Sequence, residues 1–145
     1  HTNTAVGAVT RLMDFGCEPY LVGATLVGAI SQRLVRRLCR ACRQEVELDK
    51  AQRAIIGDYD LDRHYQPGGC PQCLGTGYSG RIGLFECFWT GDETRDLISK
   101  GAAEQDISQV GGDLHKTMFR DGLEKVSLGF TSLEEVIGVT IGATI

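Results

Sequence analysis

The chain has 145 residues, enough for one hydrophobic core and about one domain. Apolar residues make up 42% and charged residues 23%, which argues against intrinsic disorder, and 19 glycines without a period of three exclude a collagen-like repeat. The net charge of −4 gives no global reason to bind nucleic acid or an anionic membrane, and the apolar uncharged run of 14 residues from Pro19 to Gln32 falls short of the roughly 18 that mark a membrane span.

The chain opens on His1-Thr-Asn, without an initiator Met or a basic-then-apolar leader, and is therefore expected to be part of a longer protein that is not secreted. Residues 4–15 read as a helix with Ala5, Val9, Leu12 and Met13 on one apolar stripe and Gly16 as its stop. Glu18-Pro19 opens a second predicted helix, running to about Leu38 with Val22, Leu26, Val27, Ile30, Leu34 and Leu38 facing inward. Asp49 is a candidate N-cap for a short helix through Ile56, ended by Gly57. Pro67-Gly68-Gly69 is a turn, and the run from Arg81 to Trp89 reads as a buried strand. Asp92 caps a predicted helix to Ser99, and another spans about Leu114 to Leu128. Thr131-Ser-Leu-Glu134 is a capping box opening a last helix through about Thr140. The expectation is a mainly α chain with a few strands.

Charge is uneven along this order. Residues 31–43 hold Arg33, Arg36, Arg37, Arg40 and Arg43 and no acid, leaving 10 basic against 19 acidic residues elsewhere. Such a run is either the face that meets an anionic partner or a solvated or inter-subunit face.

Four of the six cysteines form two C-x-x-C pairs, Cys39-Arg-Ala-Cys42 and Cys70-Pro-Gln-Cys73, with 27 residues between them. Two residues between thiols let a short loop aim both sulfurs at one ion, and two such loops supply the four thiolates of a closed structural zinc site. The linker exceeds the roughly 15–20 residues of a common ribbon and must hold structure of its own. Disulfides are disfavoured by the missing leader, and a thioredoxin-like redox pair needs only one C-x-x-C. A closed four-thiolate site has no open coordination position, so zinc here does not point to a hydrolase. Cys17 and Cys87 read as free, buried, small hydrophobes. His64, six residues before Cys70, is the alternative fourth ligand. The chain contains no G-x-x-x-x-G-K-[ST] or G-x-G-x-x-G loop, so nothing in it cradles phosphates alone.

Ser31-Gln-Arg-Leu-Val-Arg-Arg-Leu-Cys39 followed by C-x-x-C resembles the bacterial type II secretion and type IV pilus assembly ATPases (GspE/PilB-like). Three further segments match that family in the same order: Gly77-Tyr-Ser-Gly-Arg-Ile-Gly-Leu-Phe-Glu86, Arg120-Asp-Gly-Leu, and Gly129-Phe-Thr-Ser-Leu-Glu-Glu-Val136. His1-Thr-Asn3 resembles the end of the family's histidine box. The resemblance covers nearly the whole chain and implies the C-terminal part of a RecA-like P-loop ATPase, hexameric and cytoplasmic, peripheral to the inner membrane through its partners. Those partners are an integral-membrane platform protein and the secretion or pilus machinery, with no direct nucleic acid. Residues 1–38 would end the ATPase core, 39–76 form the zinc subdomain, 77–90 return a strand to the core, and 91–145 form a C-terminal helical bundle. His1 would lie near the nucleotide phosphates as a catalytic residue; Gln32, Arg33 and Arg81 would face the nucleotide or a neighbouring subunit; Cys39, Cys42, Cys70 and Cys73 would bind Zn2+. ATP and Mg2+ belong to the full-length parent, and this chain alone should not hydrolyse ATP. The tail Gly138–Ile145 is more apolar than the charged ending associated with the family.

Two other classes compete. Cys70-Pro-Gln-Cys73-Leu-Gly75-Thr-Gly77 fits the C-x-x-C-x-G-x-G repeat of a DnaJ-like zinc chaperone module, although Arg43-Gln-Glu45 after the first pair lacks the glycines. The arginine run would suit a nucleic-acid-binding zinc ribbon, which the net charge opposes.

Overall fold

The computed structural model describes residues 4–141. Among them lie seven α-helices and five strands, an α/β arrangement that divides into two compact units. The first unit holds residues up to 32 together with 85–118; the second holds 33–84 and the residues from 119 onward. A three-stranded sheet has the order β1 (Gly28–Leu38), β4 (Tyr78–Trp89), β5 (His115–Lys116), and a separate hairpin pairs β2 (Gln44–Glu47) with β3 (Arg63–Gln66).

In the first unit, α1 (Ala5–Asp14) begins at Thr4, whose hydroxyl accepts from the Gly7 N–H at 2.9 Å and so satisfies one free helix donor. Its end is a left-handed glycine, Gly16, at φ +92°. Ala5, Val6 and Val9 meet Val22 of α2 (Pro19–Thr25), Phe88 of β4, Ile98 of α4 (Asp92–Ser99) and Ile107 of α5 (Glu104–Val110) in one core. Gly23 lets α2 lie close on α4: a Cβ there would stand 2.8 Å from the Arg95 carbonyl oxygen. Glu86, buried on β4, accepts from the Ala5 N–H at 2.9 Å and bonds His115 Nε2 at 3.0 Å, which gives this carboxylate two partners.

In the second unit, the β2–β3 hairpin runs antiparallel from Gln44 opposite Gln66 to Glu47 opposite Arg63. Its far end carries α3 (Lys50–Ile56), with a full capping box between Asp49 and Gln52. Its open end lies between Cys42 and Cys70, so the hairpin returns the chain to where it left. This is the structure the long linker requires. α6 (Met118–Ser127) and α7 (Leu133–Thr140) complete the unit, with Gly122 seated against the Val136 side chain.

Several expectations are corrected. The helix predicted from Pro19 to Leu38 is α2 followed by an 11-residue strand. Along β1 the burial alternates: Val35 is buried, while Ile30 and Leu34 stand 61% and 53% exposed. The apolar residues at every fourth position imitate one helix face, but β-branched Val27, Ile30 and Val35 around Gly28 favour the pleat. The helix expected from Leu114 is a short 3-10 turn, β5 and then α6. α7 is capped by Ser132, which accepts from the Glu135 N–H, and not by Thr131, whose hydroxyl donates to the Arg36 carbonyl at 2.8 Å. The N-cap of α4 is Gly91, not Asp92. Cys17 is exposed and Cys87 half-buried; burial was expected for both. The strands β2 and β3 and the helix α5 were not anticipated.

Candidate metal centre

The chain enters the cluster at the end of β1, where Leu38 is fixed by its N–H to the Phe130 carbonyl at 2.9 Å. Cys39 follows, donating its N–H to the Gly77 carbonyl at 2.9 Å, and a tight turn presents Cys42. The second pair sits on a 3-10 turn, Pro71–Cys73, with Cys70 just before it. Beyond Cys73 the chain must reverse at once. Leu74, Gly75 and Gly77 take it through positive φ at 52°, 79° and 75°. Gly77 is also pressed against Pro67, so a side chain is excluded there twice.

The four sulfurs lie within 4.8 Å of one another. Cys39 Sγ is 3.9 Å from Cys70 Sγ, Cys42 Sγ is 3.8 Å from Cys73 Sγ, and Cys70 Sγ is 3.7 Å from Cys73 Sγ. A tetrahedral ion with metal–sulfur bonds of about 2.3 Å separates its ligands by about 3.8 Å. Disulfide sulfurs would stand only about 2 Å apart. The separations therefore fit four ligands around one ion. All six cysteines are free thiols.

Backbone amides prepare the sulfurs to carry charge. Gly69 N–H points at Cys42 Sγ, and the N–H groups of Cys70 and Gly77 both point at Cys73 Sγ, each at 3.2 Å. Burial pushes the Cys73 thiol up, but these two amides and the thiols of Cys70 and Cys42 outweigh it and hold it at about 6. Burial pushes the Cys42 thiol up to about 11 against its single amide, with the neighbouring thiols adding to the rise. One sulfur is thus ready as a thiolate, and a bound dication would deprotonate the others.

His64 does not join the cluster, which consists of the four cysteines alone. It lies on β3, fully buried, and among the described residues neither ring nitrogen has a hydrogen-bond partner. Burial lowers its pKa, against the pull of Glu134 and Asp49.

The arginine run is not one basic face. Arg36 donates from its backbone N–H and its guanidinium to Glu135, at 2.6–3.0 Å, and lies 4.1 Å from the centre of the Tyr78 ring. Arg43 donates to the carbonyls of Leu128 and Gly129 behind α6 and stacks on Tyr65. Arg37 lies over Phe130. Arg33 is half-buried on β1, Gln32 exposed on β1 and Arg81 exposed on β4. His1 lies outside the described residues. The sequence carried a signal for the cysteines but none for Glu135 or the amides of Gly69 and Gly77, because those partners come from distant segments or from backbone.

A family model described as "Type II/IV secretion system protein" matches residues 1–138 of the chain. The chain belongs to that family. It is 44% identical over 140 residues to "Type II secretion system protein E" of Pectobacterium carotovorum subsp. carotovorum, covering 97% of this chain and 28% of the relative. Identity to "Type II secretion system ATPase E" of Vibrio cholerae is 44% over 142 residues, again 97% of this chain and 28% of the relative. Identity to "Type IV pilus assembly ATPase PilB" of Thermus thermophilus is 40% over 146 residues, 97% of this chain and 16% of the relative. The chain thus spans less than a third of the length of these relatives. No helix among the described residues is long and apolar enough to cross a membrane.

Proposed function

We infer that this chain is part of a cytoplasmic ATPase powering type II protein secretion or type IV pilus assembly, and that Cys39, Cys42, Cys70 and Cys73 hold a structural Zn2+ within it. The observation that carries the reading is identity of 40–44% along 97% of the chain to relatives named as ATPases of those two systems. The zinc assignment is supported by four sulfurs at tetrahedral separations, since all-thiolate sites of this geometry suit zinc. Zinc here would supply no chemistry, because four sulfurs leave no position for water or substrate.

The parent would be a RecA-like homohexamer that binds ATP and Mg2+ outside the present residues and acts on an integral-membrane platform from the inner face of the membrane. His1 would approach the phosphates. Gln32, Arg33 and Arg81 would face the nucleotide or a neighbouring subunit. Residues 1–38 and 77–90 would serve the ATPase core, 39–76 the zinc subdomain and 91–145 the C-terminal helical region. Phosphoryl transfer needs positioning and charge neutralisation more than covalent chemistry, and a guanidinium fixed on a strand offers both. Replacing Arg33 with Ala in the full-length protein is expected to lower Mg-ATP turnover at least tenfold, by loss of one phosphate-directed cation, with zinc content retained. Unchanged turnover would remove Arg33 from the site.

A further inference from the structure

Beside the cysteines, within the second unit, lies a recess of about 340 Å3 lined by Arg37, Leu38, Cys39, Arg40, Ala41, Gln72 and Ser79. We propose that this recess binds a carboxylate side chain of an acidic peptide segment on a partner protein. Its polar lining residues are Arg37, Arg40, Gln72, Ser79 and the cluster cysteine Cys39, and no Asp or Glu is among them. Arg36 and Arg43 are engaged by Glu135 and by the carbonyls behind α6, and Arg37 rests over Phe130. Arg40 is different. It is exposed and, among the described residues, makes no hydrogen bond or ion pair. An unengaged guanidinium beside a half-buried one forms the planar donor set that suits a carboxylate.

The choice of carboxylate over phosphate rests on the zinc reading above. Four thiolates and one Zn2+ would leave a net charge of about −2 at the recess wall, which the two arginines no more than offset, so the extra charge of a phosphate dianion gains no net attraction over a carboxylate. Leu38 and Ala41 add an apolar wall that a side-chain stem can cover and an inorganic ion cannot. The competing account keeps Arg40 for internal use, as a counter-charge to the thiolates.

The test is a titration of the whole 145-residue chain at low salt, followed by NMR, with a short triglutamate peptide, its triglutamine counterpart and inorganic phosphate as probes. Metal content is measured first and the titration is run at the content found, so failure of the zinc reading shows separately. The triglutamate peptide should bind saturably and shift the guanidinium signals of Arg37 and Arg40 and the amide of Ser79, while the triglutamine peptide should not. Arg40→Gln should weaken binding about tenfold, the usual loss for one charge-assisted hydrogen bond, with metal content and the amide spectrum otherwise unchanged. Ser79→Ala should weaken it less. The proposal is overturned by absence of saturable binding, by equal binding of triglutamine, by phosphate displacing the peptide at equal or lower concentration, or by Arg40→Gln lowering metal content while leaving affinity intact.

Discussion

Gly77 shows how much of the cluster depends on single backbone positions. Its N–H points at Cys73 Sγ, its carbonyl receives the Cys39 N–H, its φ is +75°, and Pro67 occupies the space where a Cβ would go. Gly77→Ala is therefore expected to cost more than the roughly 1–2 kcal/mol of the left-handed backbone alone and to lower metal retention in competition with a chelator. Wild-type retention would mean that the loop relaxes freely. Glu135 is the other pivotal residue. Burial raises its carboxyl, but the Arg36 guanidinium and backbone N–H bring it below the usual carboxylate value. A carboxyl lowered in the folded state contributes stability that is complete above its unfolded value and disappears as pH falls through the folded one. Glu135→Gln should lower the denaturation midpoint at pH 7, and its deficit against the wild type should shrink as pH falls below the ordinary glutamate value of about 4.3, where the unfolded chain takes up the proton, and on through the lowered folded one. A deficit that stays constant through the acid range would show that the substitution acts through packing and not through charge.

Among the elements, β1 is the one that pattern reading misplaced. Apolar residues at 22, 26, 30, 34 and 38 satisfy a helix template, and only the structure shows that Leu34 is exposed while Val35 is buried. Leu34→Thr should consequently change stability by less than about 0.5 kcal/mol, while Val35→Ala should cost about 2 kcal/mol. Equal penalties in urea unfolding would contradict the strand assignment. β2 and β3 were invisible for another reason: in Gln-Glu-Val-Glu and Arg-His-Tyr-Gln only His64 is fully buried and the outer residues are polar, so neither segment has an apolar face to announce it. Where local chemistry decides, the sequence was readable. Thr4 to Gly16 and Asp49 to Gly57 carry their own caps, and both helices lie where those caps place them. The same holds for the cysteines, since C-x-x-C spacing is local, whereas the arginines took partners up to 99 residues away and could not be read from their neighbours.

For the whole molecule, the two compact units have different sources of cohesion. The first has a core of Ala5, Val6, Val9, Val22, Phe88, Ile98 and Ile107. Phe88→Ala there should cost about 3–5 kcal/mol. The second unit carries the cysteine cluster, and on the zinc reading its loops are ordered by metal binding as well as by burial. Removal of metal should accordingly speed amide exchange between residues 39 and 77 while leaving α1 and α4 protected, and uniform loss or no loss would each contradict that division. The central claim is narrower and can be tested directly, by metal analysis and X-ray absorption at the zinc edge on protein purified without chelator. The account predicts one zinc per chain, bound by four sulfurs at about 2.3 Å. Substoichiometric metal with oxidised cysteines, or a shell containing nitrogen or oxygen, would contradict it.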